Sequence, residues 1–395
     1  MAFDPTPWRA DTAAVSGGRI HLNSAGASLM PRPVYEAVCE HLRAEVMHGG
    51  YEAADDAQAA IADTHAAVAS LIGAQARNIA VVENATVAFA QALSAFDFTA
   101  GDVIVTSRND YVSNQLMYLS LAARLGLRIV RAADLPEGGV DPASVAALIA
   151  REGPKLVAIT HVPTNSGLVQ RIEEVGAVCR DADVPYLVDA CQAVGQIPLD
   201  VERIGCTWLS ATARKFLRGP RGVGFLYVSD DALRAGRHPL YLDLQGGRWV
   251  EADRFELAAD ATRFENWEFA FALMLGMGAA AHYALRVGVE AAGQYAAELA
   301  AYAREQLAAV PGLRVLDEGE RLCAIVTVEV EGQDANAVVR MLRDQAINAS
   351  AALREYAVID MDAKQVRNAV RLSPHYFNTR REIDNAVAAL GAVNR

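Results

Sequence analysis

The sequence predicts an α/β protein: a large domain built on a seven-stranded, mostly parallel sheet, with a smaller α+β domain. Three observations predict it. Seven short apolar, β-branched runs lie between residues 79 and 228, helix-patterned segments separate them, and near residue 265 the pattern changes to long helices followed by a few strands. Strands covered on both faces read as near-continuous apolar runs, and each parallel crossover needs a connection long enough to hold a helix.

In chain order the runs are IAVV (79 to 82), VIVT (103 to 106), RIV (128 to 130), LVAIT (156 to 160), YLVD (186 to 189), TWLS (207 to 210) and VGFLYV (223 to 228). Between them, Asp141-Pro142 opens SVAALIARE as a helix start. In RIEEVGAVCRDA, Ile172, Val175 and Val178 recur at helical spacing. From about residue 265 come a long apolar helix, a second helix to about residue 310, and LRVL, LCAIVTVEV and NAVRLS as strands. Helices are expected around DANAVVRMLRDQ and TRREIDNAVAAL. This gives a large domain over 26–264 and a small one from 1–25 and 265–395. Gly246-Gly247 lies on the approach to the boundary, and no repeat or low-complexity segment occurs.

At 395 residues the chain exceeds one ordinary core, and its 52% hydrophobic content fits a well-packed protein. With 36 basic against 48 acidic side chains, a net charge of −12 and no run of five Lys or Arg, nucleic-acid binding is not expected. Five cysteines, odd in number and without a C-x-x-C pair, argue against zinc or a redox dithiol and for reduced thiols in a cytoplasm. The first residues carry prolines and charges where a signal peptide needs a basic start and an apolar stretch. The longest apolar run, Phe269 to Ala281, is shorter than the roughly 20 residues that cross a bilayer and reads as a buried helix. Neither a metal nor a membrane is expected.

In parallel sheets ligands gather at the carboxyl ends of strands. Asp189 ends the apolar run YLVD, with Gln192 three residues on. Read alone, Asp189 is open between a helix cap and a carboxylate paired with a buried cation. Lysine occurs only at 155, 215 and 364. Lys215 follows a strand-like run, beside Thr212 and Arg214, and precedes a Gly/Pro-rich turn. A basic surface turn is the bland alternative, but the position between two apolar strands favours a buried amine. Burial and neighbouring cations lower a lysine's proton affinity, which a lysine that forms an imine requires. Thr212 and Arg214 offer a hydroxyl and a guanidinium, both suited to phosphate.

The pattern D-x-x-Q followed by T-x-R-K-F-x-x-G-P-x-G resembles the class V aminotransferase family, which includes cysteine desulfurases. The resemblance runs from HLNSAGASLMP to VRLSPHYFNT, nearly the whole chain. It implies the pyridoxal 5'-phosphate (PLP) dependent fold type I and a homodimer with active sites at the interface. It also implies that Lys215 holds the cofactor as an imine, that Asp189 pairs with the pyridine nitrogen, and that Gln192 hydrogen-bonds the ring oxygen. Ala85 and Thr86, at a helix start, with Thr212 and Arg214, would hold the phosphate. Many relatives have Ser and His in place of Thr212 and Arg214, so those contacts differ in detail. Tyr111 takes the place of an aromatic stacked on the ring.

For a small amino-acid substrate, the resemblance gives Arg371 the α-carboxylate. It places Asn23, Ala25 and Gly26 in a segment closing over the substrate and Thr164 near the ring oxygen. Asn266, Trp267 and Glu268 would contribute contacts from the partner subunit. A persulfide-forming desulfurase needs a mobile cysteine before the arginine strand. The stretch INASAALREYAVIDMDAKQVRNAVRLS has none, Cys323 reads as core, and Cys191 abuts Asp189. SATARKFLRGPRGVGFLYV and RFENWE look closest to ergothioneine-pathway C–S lyases and isopenicillin N epimerase-like proteins. The expected reaction is β-elimination from a cysteine-derived thioether or sulfoxide, with transamination and epimerisation as alternatives.

Overall fold

The structure is a computed structural model that describes residues 3–393. All seven apolar runs are strands of one sheet: β1 (Ile79–Val82), β2 (Val103–Thr106), β3 (Arg128–Arg131), β4 (Leu156–Thr160), β5 (Tyr186–Asp189), β6 (Trp208–Thr212) and β7 (Gly224–Val228). Their order across the sheet is β1-β7-β6-β5-β4-β2-β3. The five strands from β6 to β3 pair in parallel, while β7 runs antiparallel to both β6 and β1. Strands β1, β2 and β4 to β7 are buried along their whole length, which is why they read as continuous apolar runs. Edge strand β3 is half-exposed and carries Arg128 and Arg131 at its ends.

The helix after β3 starts where Asp141-Pro142 predicts. Asp141 accepts from the amide of Ala143 at 2.9 Å with Pro142 in the first turn of Pro142–Glu152. The strand order turns back between β2 and β4, so the carboxyl ends of β2, β4 and β5 border one crevice.

A second sheet, antiparallel, contains Leu313–Val315, Val326–Val330, Asn368–Leu372 and Ser350–Leu353 in that spatial order. The first three were expected, though in LCAIVTVEV the strand begins only at Val326. Ser350–Leu353 was not expected, and neither was the surface hairpin Gly247–Glu251 with Arg254–Leu257, where Gly246-Gly247 had been read as the approach to a boundary. The N-terminal strand Ile20–His21 pairs in parallel with Ile347–Asn348, which ties the start of the chain to the C-terminal region.

The long apolar helix Phe271–Val287 is buried against Arg32–His48 and Gln58–Leu71. Its glycines permit that approach: a Cβ at Gly278 would collide with Thr64, and one at Gly276 with Val38. The expected boundary at 265 falls just ahead of this helix. Among the described residues no single helix is long and apolar enough to cross a membrane.

Candidate active site

Lys215 sits in the turn between β6 and β7, 6% exposed, and two backbone features hold it there. Gly195 has a φ of 91°, and any Cβ on it would strike the backbone of Phe216, so the loop after Asp189 lies directly against the lysine's own turn. Arg218 has a φ of 63°. Its guanidinium compensates by donating to the carbonyl of Leu29 at 2.8 Å, to Tyr376 Oη at 2.8 Å and to Thr12 Oγ1 at 2.7 Å, which anchors the turn to both ends of the chain.

A cavity of about 480 Å³ opens over this turn. Lys215, Thr212 and Arg214 line it from one strand end, Asp189 and Cys191 from another, and Tyr111 from the start of Val112–Leu125. Ala85 and Thr86 line it from the start of Ala85–Ser94. There Asn84 Oδ1 accepts from the amide of Val87 at 3.1 Å, while the first helix amides have no acceptor within the helix and suit an anion. Lys215 Nζ lies 5.7 Å from the centre of the Tyr111 ring. Burial holds the lysine's pKa below its ordinary value. Arg214 and Arg371 push it the same way, while Cys191 and Asp189 oppose them.

Asp189 is 3% exposed. Its Oδ1 accepts from the amide of Cys191 at 2.9 Å and its Oδ2 from Asn114 Nδ2 at 2.9 Å. Each oxygen keeps acceptor capacity, which suits a buried cationic N–H.

The remaining expected residues form a polar cluster beside the cavity. Arg371 Nη1 donates to both the carbonyl and the hydroxyl of Thr164, each at 2.8 Å, and its Nη2 reaches Asn23 Oδ1 at 3.5 Å. Its buried Nε has no partner. Gln192 Nε2 donates to the carbonyl of Ala25 at 3.1 Å and to Thr164 Oγ1 at 3.3 Å, so this amide faces the N-terminal segment, and its buried Oε1 is unpartnered. Arg214 Nη1 donates to the carbonyl of Gly26, and Ala25 donates from its amide to Ser373 Oγ at 2.9 Å.

Asn266, Trp267 and Glu268 are exposed and stay outside the cavity; Asn266 reaches Glu83 at 3.0 Å. Sequence reading missed Asn84, Asn114, Arg221 and Gly222, all of which line it. The only signal for Asn114 was its place one turn into a helix that begins beside the crevice.

The family model for class V aminotransferases matches residues 20–386. The chain belongs to the class V aminotransferase family. A probable cysteine desulfurase of Methanothermobacter thermautotrophicus is 27% identical over 92% of each chain. A probable hercynylcysteine sulfoxide lyase of Mycobacterium tuberculosis is 30% identical, over 98% of this chain and 92% of the relative. Among solved structures, the cysteine desulfurase of Thermococcus onnurineus superposes with a TM-score of 0.89 at 24% identity, covering 100% of this chain and 99% of that one. A cysteine desulfurase of Escherichia coli gives 0.90 at 21%, with the same coverage. These likenesses establish the PLP-dependent fold type I for this family member.

Proposed function

We propose that this protein is a PLP-dependent C–S lyase that eliminates the β-substituent of a cysteine-derived thioether or sulfoxide. The observation that carries the cofactor is the buried Lys215, its pKa lowered by that burial, facing the carboxyl group of Asp189 across one cavity with Tyr111. A group with an aldehyde, a basic ring nitrogen and a phosphate fits that donor set. Lys215 would take the aldehyde, Asp189 the ring nitrogen, Tyr111 the ring face, and Ala85, Thr86, Thr212 and Arg214 the phosphate.

Bound PLP would withdraw electrons from the α-carbon of an attached amino acid. The chain's own groups do the rest. Arg371 presents its unpartnered Nε and the weakly used Nη2 to the α-carboxylate, with Thr164 and Asn23 fixing the guanidinium plane. Gln192 ties Thr164 to Ala25 and so holds the substrate-side segment. Lys215 Nζ would accept the α-proton, and as the C–S bond breaks the sulfur would leave with the bonding electrons and take up that proton from Lys215.

Elimination rather than persulfide transfer is supported by the Mycobacterium tuberculosis relative and by the absence of cysteine from residues 347–372. The relatives described as desulfurases favour the second reading, in which alanine is the product. Incubation with S-substituted cysteines and their sulfoxides, and separately with free cysteine, separates the two. Pyruvate and ammonia support the lyase, alanine with sulfur transfer the desulfurase, and a keto acid that retains the sulfur substituent a transaminase.

The active form is proposed to be a homodimer. Helix Arg32–His48 exposes Leu42, Val46 and Met47, with Tyr51 next to them, an apolar row of the kind that subunits cover. Sedimentation equilibrium giving a monomer at micromolar concentration would reject it.

A further inference from the structure

Asp110 is a buried carboxylate that none of the roles above uses. It follows β2 at the crevice, and five donors surround it. Oδ1 accepts from the amide of Tyr111 at 2.7 Å, from Asn114 Nδ2 at 3.0 Å and from Thr160 Oγ1 at 2.5 Å. Oδ2 accepts from Gln115 Nε2 at 2.8 Å and Thr106 Oγ1 at 3.2 Å. Asn114 Nδ2 is shared: it also donates to Asp189 Oδ2 at 2.9 Å. A side-chain amide nitrogen carries two protons and accepts nothing, so carboxylates on both sides fix which way Asn114 points.

We propose that Asp110 is a positioning residue for Asp189: it fixes the Asn114 amide that holds Asp189 Oδ2, and its charge strengthens the hold on a proton at the cofactor's ring nitrogen. This rests on the reading of Asp189 as that nitrogen's partner. No basic side chain hydrogen-bonds either carboxylate among the described residues, and the cation that acts on Asp189 from across the cavity is Lys215. Two like charges joined by one neutral amide repel in a buried site, and a protonated ring nitrogen at Asp189 would relieve both.

The charged and titratable groups around the pair are Lys215, Arg214 and Arg371 across the cavity, the Cys191 thiol after β5, and the buried Tyr118 phenol on the helix of Asn114. Burial raises the pKa of Asp110, with Asp189 adding to the rise; Thr160, Gln115 and Asn114 counter it by donating to the carboxylate.

The test is Asp110→Asn, which keeps the shape and removes the charge. In protein loaded with PLP labelled with nitrogen-15 in the ring, the pH midpoint of the ring-nitrogen NMR shift should move down by about one unit, the size one nearby buried charge gives. The dissociation constant for PLP should rise about tenfold. Asn114→Ala should move both quantities the same way, and adding it to Asp110→Asn should add little, because the coupling runs through that amide.

A structural role alone would lower thermal stability with and without PLP and leave the midpoint in place. An unchanged midpoint with a dissociation constant within twofold overturns the proposal. If Asp110→Asn does not fold, Gln115→Leu serves, since it removes a donor to Asp110 without touching Asp189; it should move the midpoint down by less, and no movement overturns the proposal. Wild-type protein that shows no visible band with PLP would instead reject the cofactor reading.

Discussion

Arg371 and Thr164 form a two-point clamp in which one guanidinium nitrogen donates to both the carbonyl and the hydroxyl of the threonine, each at 2.8 Å. That leaves the Nε edge of the guanidinium without a partner. Burial and the charge of Arg214 lower the pKa of Arg371 to about 10, so it remains charged at neutral pH, buried and short of an anion. Such a group is held ready for a carboxylate. Arg371→Lys should raise KM for an amino-acid substrate about ten- to hundredfold, with a smaller change in kcat, because a point charge replaces a bidentate fork. Thr164→Val should raise it only a few-fold. Steady-state kinetics together with PLP titration check this, since PLP affinity should be nearly unchanged in both variants.

Lys215 leads to a prediction about stability and pH in the protein freed of PLP. Burial lowers its folded pKa below the unfolded value of 10.5. Between those two values the unfolded chain binds more protons than the folded one, so stability rises with pH across that window. Below the folded pKa the penalty is complete and the contribution is flat. Lys215→Met should remove this rise and should be more stable than wild type at neutral pH. Denaturant unfolding of both proteins at neutral and alkaline pH checks the sign; the same gain in the two proteins on going alkaline would show that Lys215 carries no such penalty. The variant should also lack the borohydride-sensitive visible band after incubation with PLP.

The strands were legible because burial on both sheet faces writes itself as an unbroken apolar run, and Lys215 stood out because the chain has three lysines. Asp189 was legible as a lone carboxylate ending such a run. Asp110 and Asn114 were not. RNDYVSN has the composition of a turn, and nothing in it says that Asn114, gripped by Asp110 four residues before it, will donate to a carboxylate on a strand two positions away in the sheet. Long-range pairing of this kind depends on strand order, which local pattern does not encode. The surface hairpin was missed for a different reason: GRWVE and RFEL are mostly exposed and charged, so neither burial nor alternation marks them. Asn266, Trp267 and Glu268, expected near a site, are exposed and lie outside the cavity.

Arg218 predicts a stability effect without chemistry. It is fully buried, its guanidinium lies 4.6 Å from the Phe377 ring centre, and it donates to Leu29, Tyr376 and Thr12. Arg218→Leu would leave three polar partners short of a donor and place a branched side chain at a φ of 63°. A loss of about 3 to 5 kcal/mol is expected, the range for breaking a buried charged network. Urea unfolding measures it. Arg218→Gly should recover the backbone part but not the hydrogen bonds, so its loss should be smaller yet clearly present.

Cys191 separates the two sulfur chemistries. It lines the cavity beside Lys215, so by position alone it could receive sulfur from a substrate. Its thiol is held above the usual range by burial first and by the Asp189 charge second, with Lys215 and Arg214 opposing. A protonated thiol is a poor nucleophile at neutral pH, and a persulfide acceptor must attack sulfur as the thiolate. Cys191→Ala should therefore keep elimination activity within about threefold of wild type, and wild-type protein after turnover should carry no sulfur adduct at residue 191 by mass spectrometry. Loss of activity in the variant together with such an adduct would move the assignment from lyase to desulfurase, with Cys191 in place of the cysteine that residues 347–372 lack.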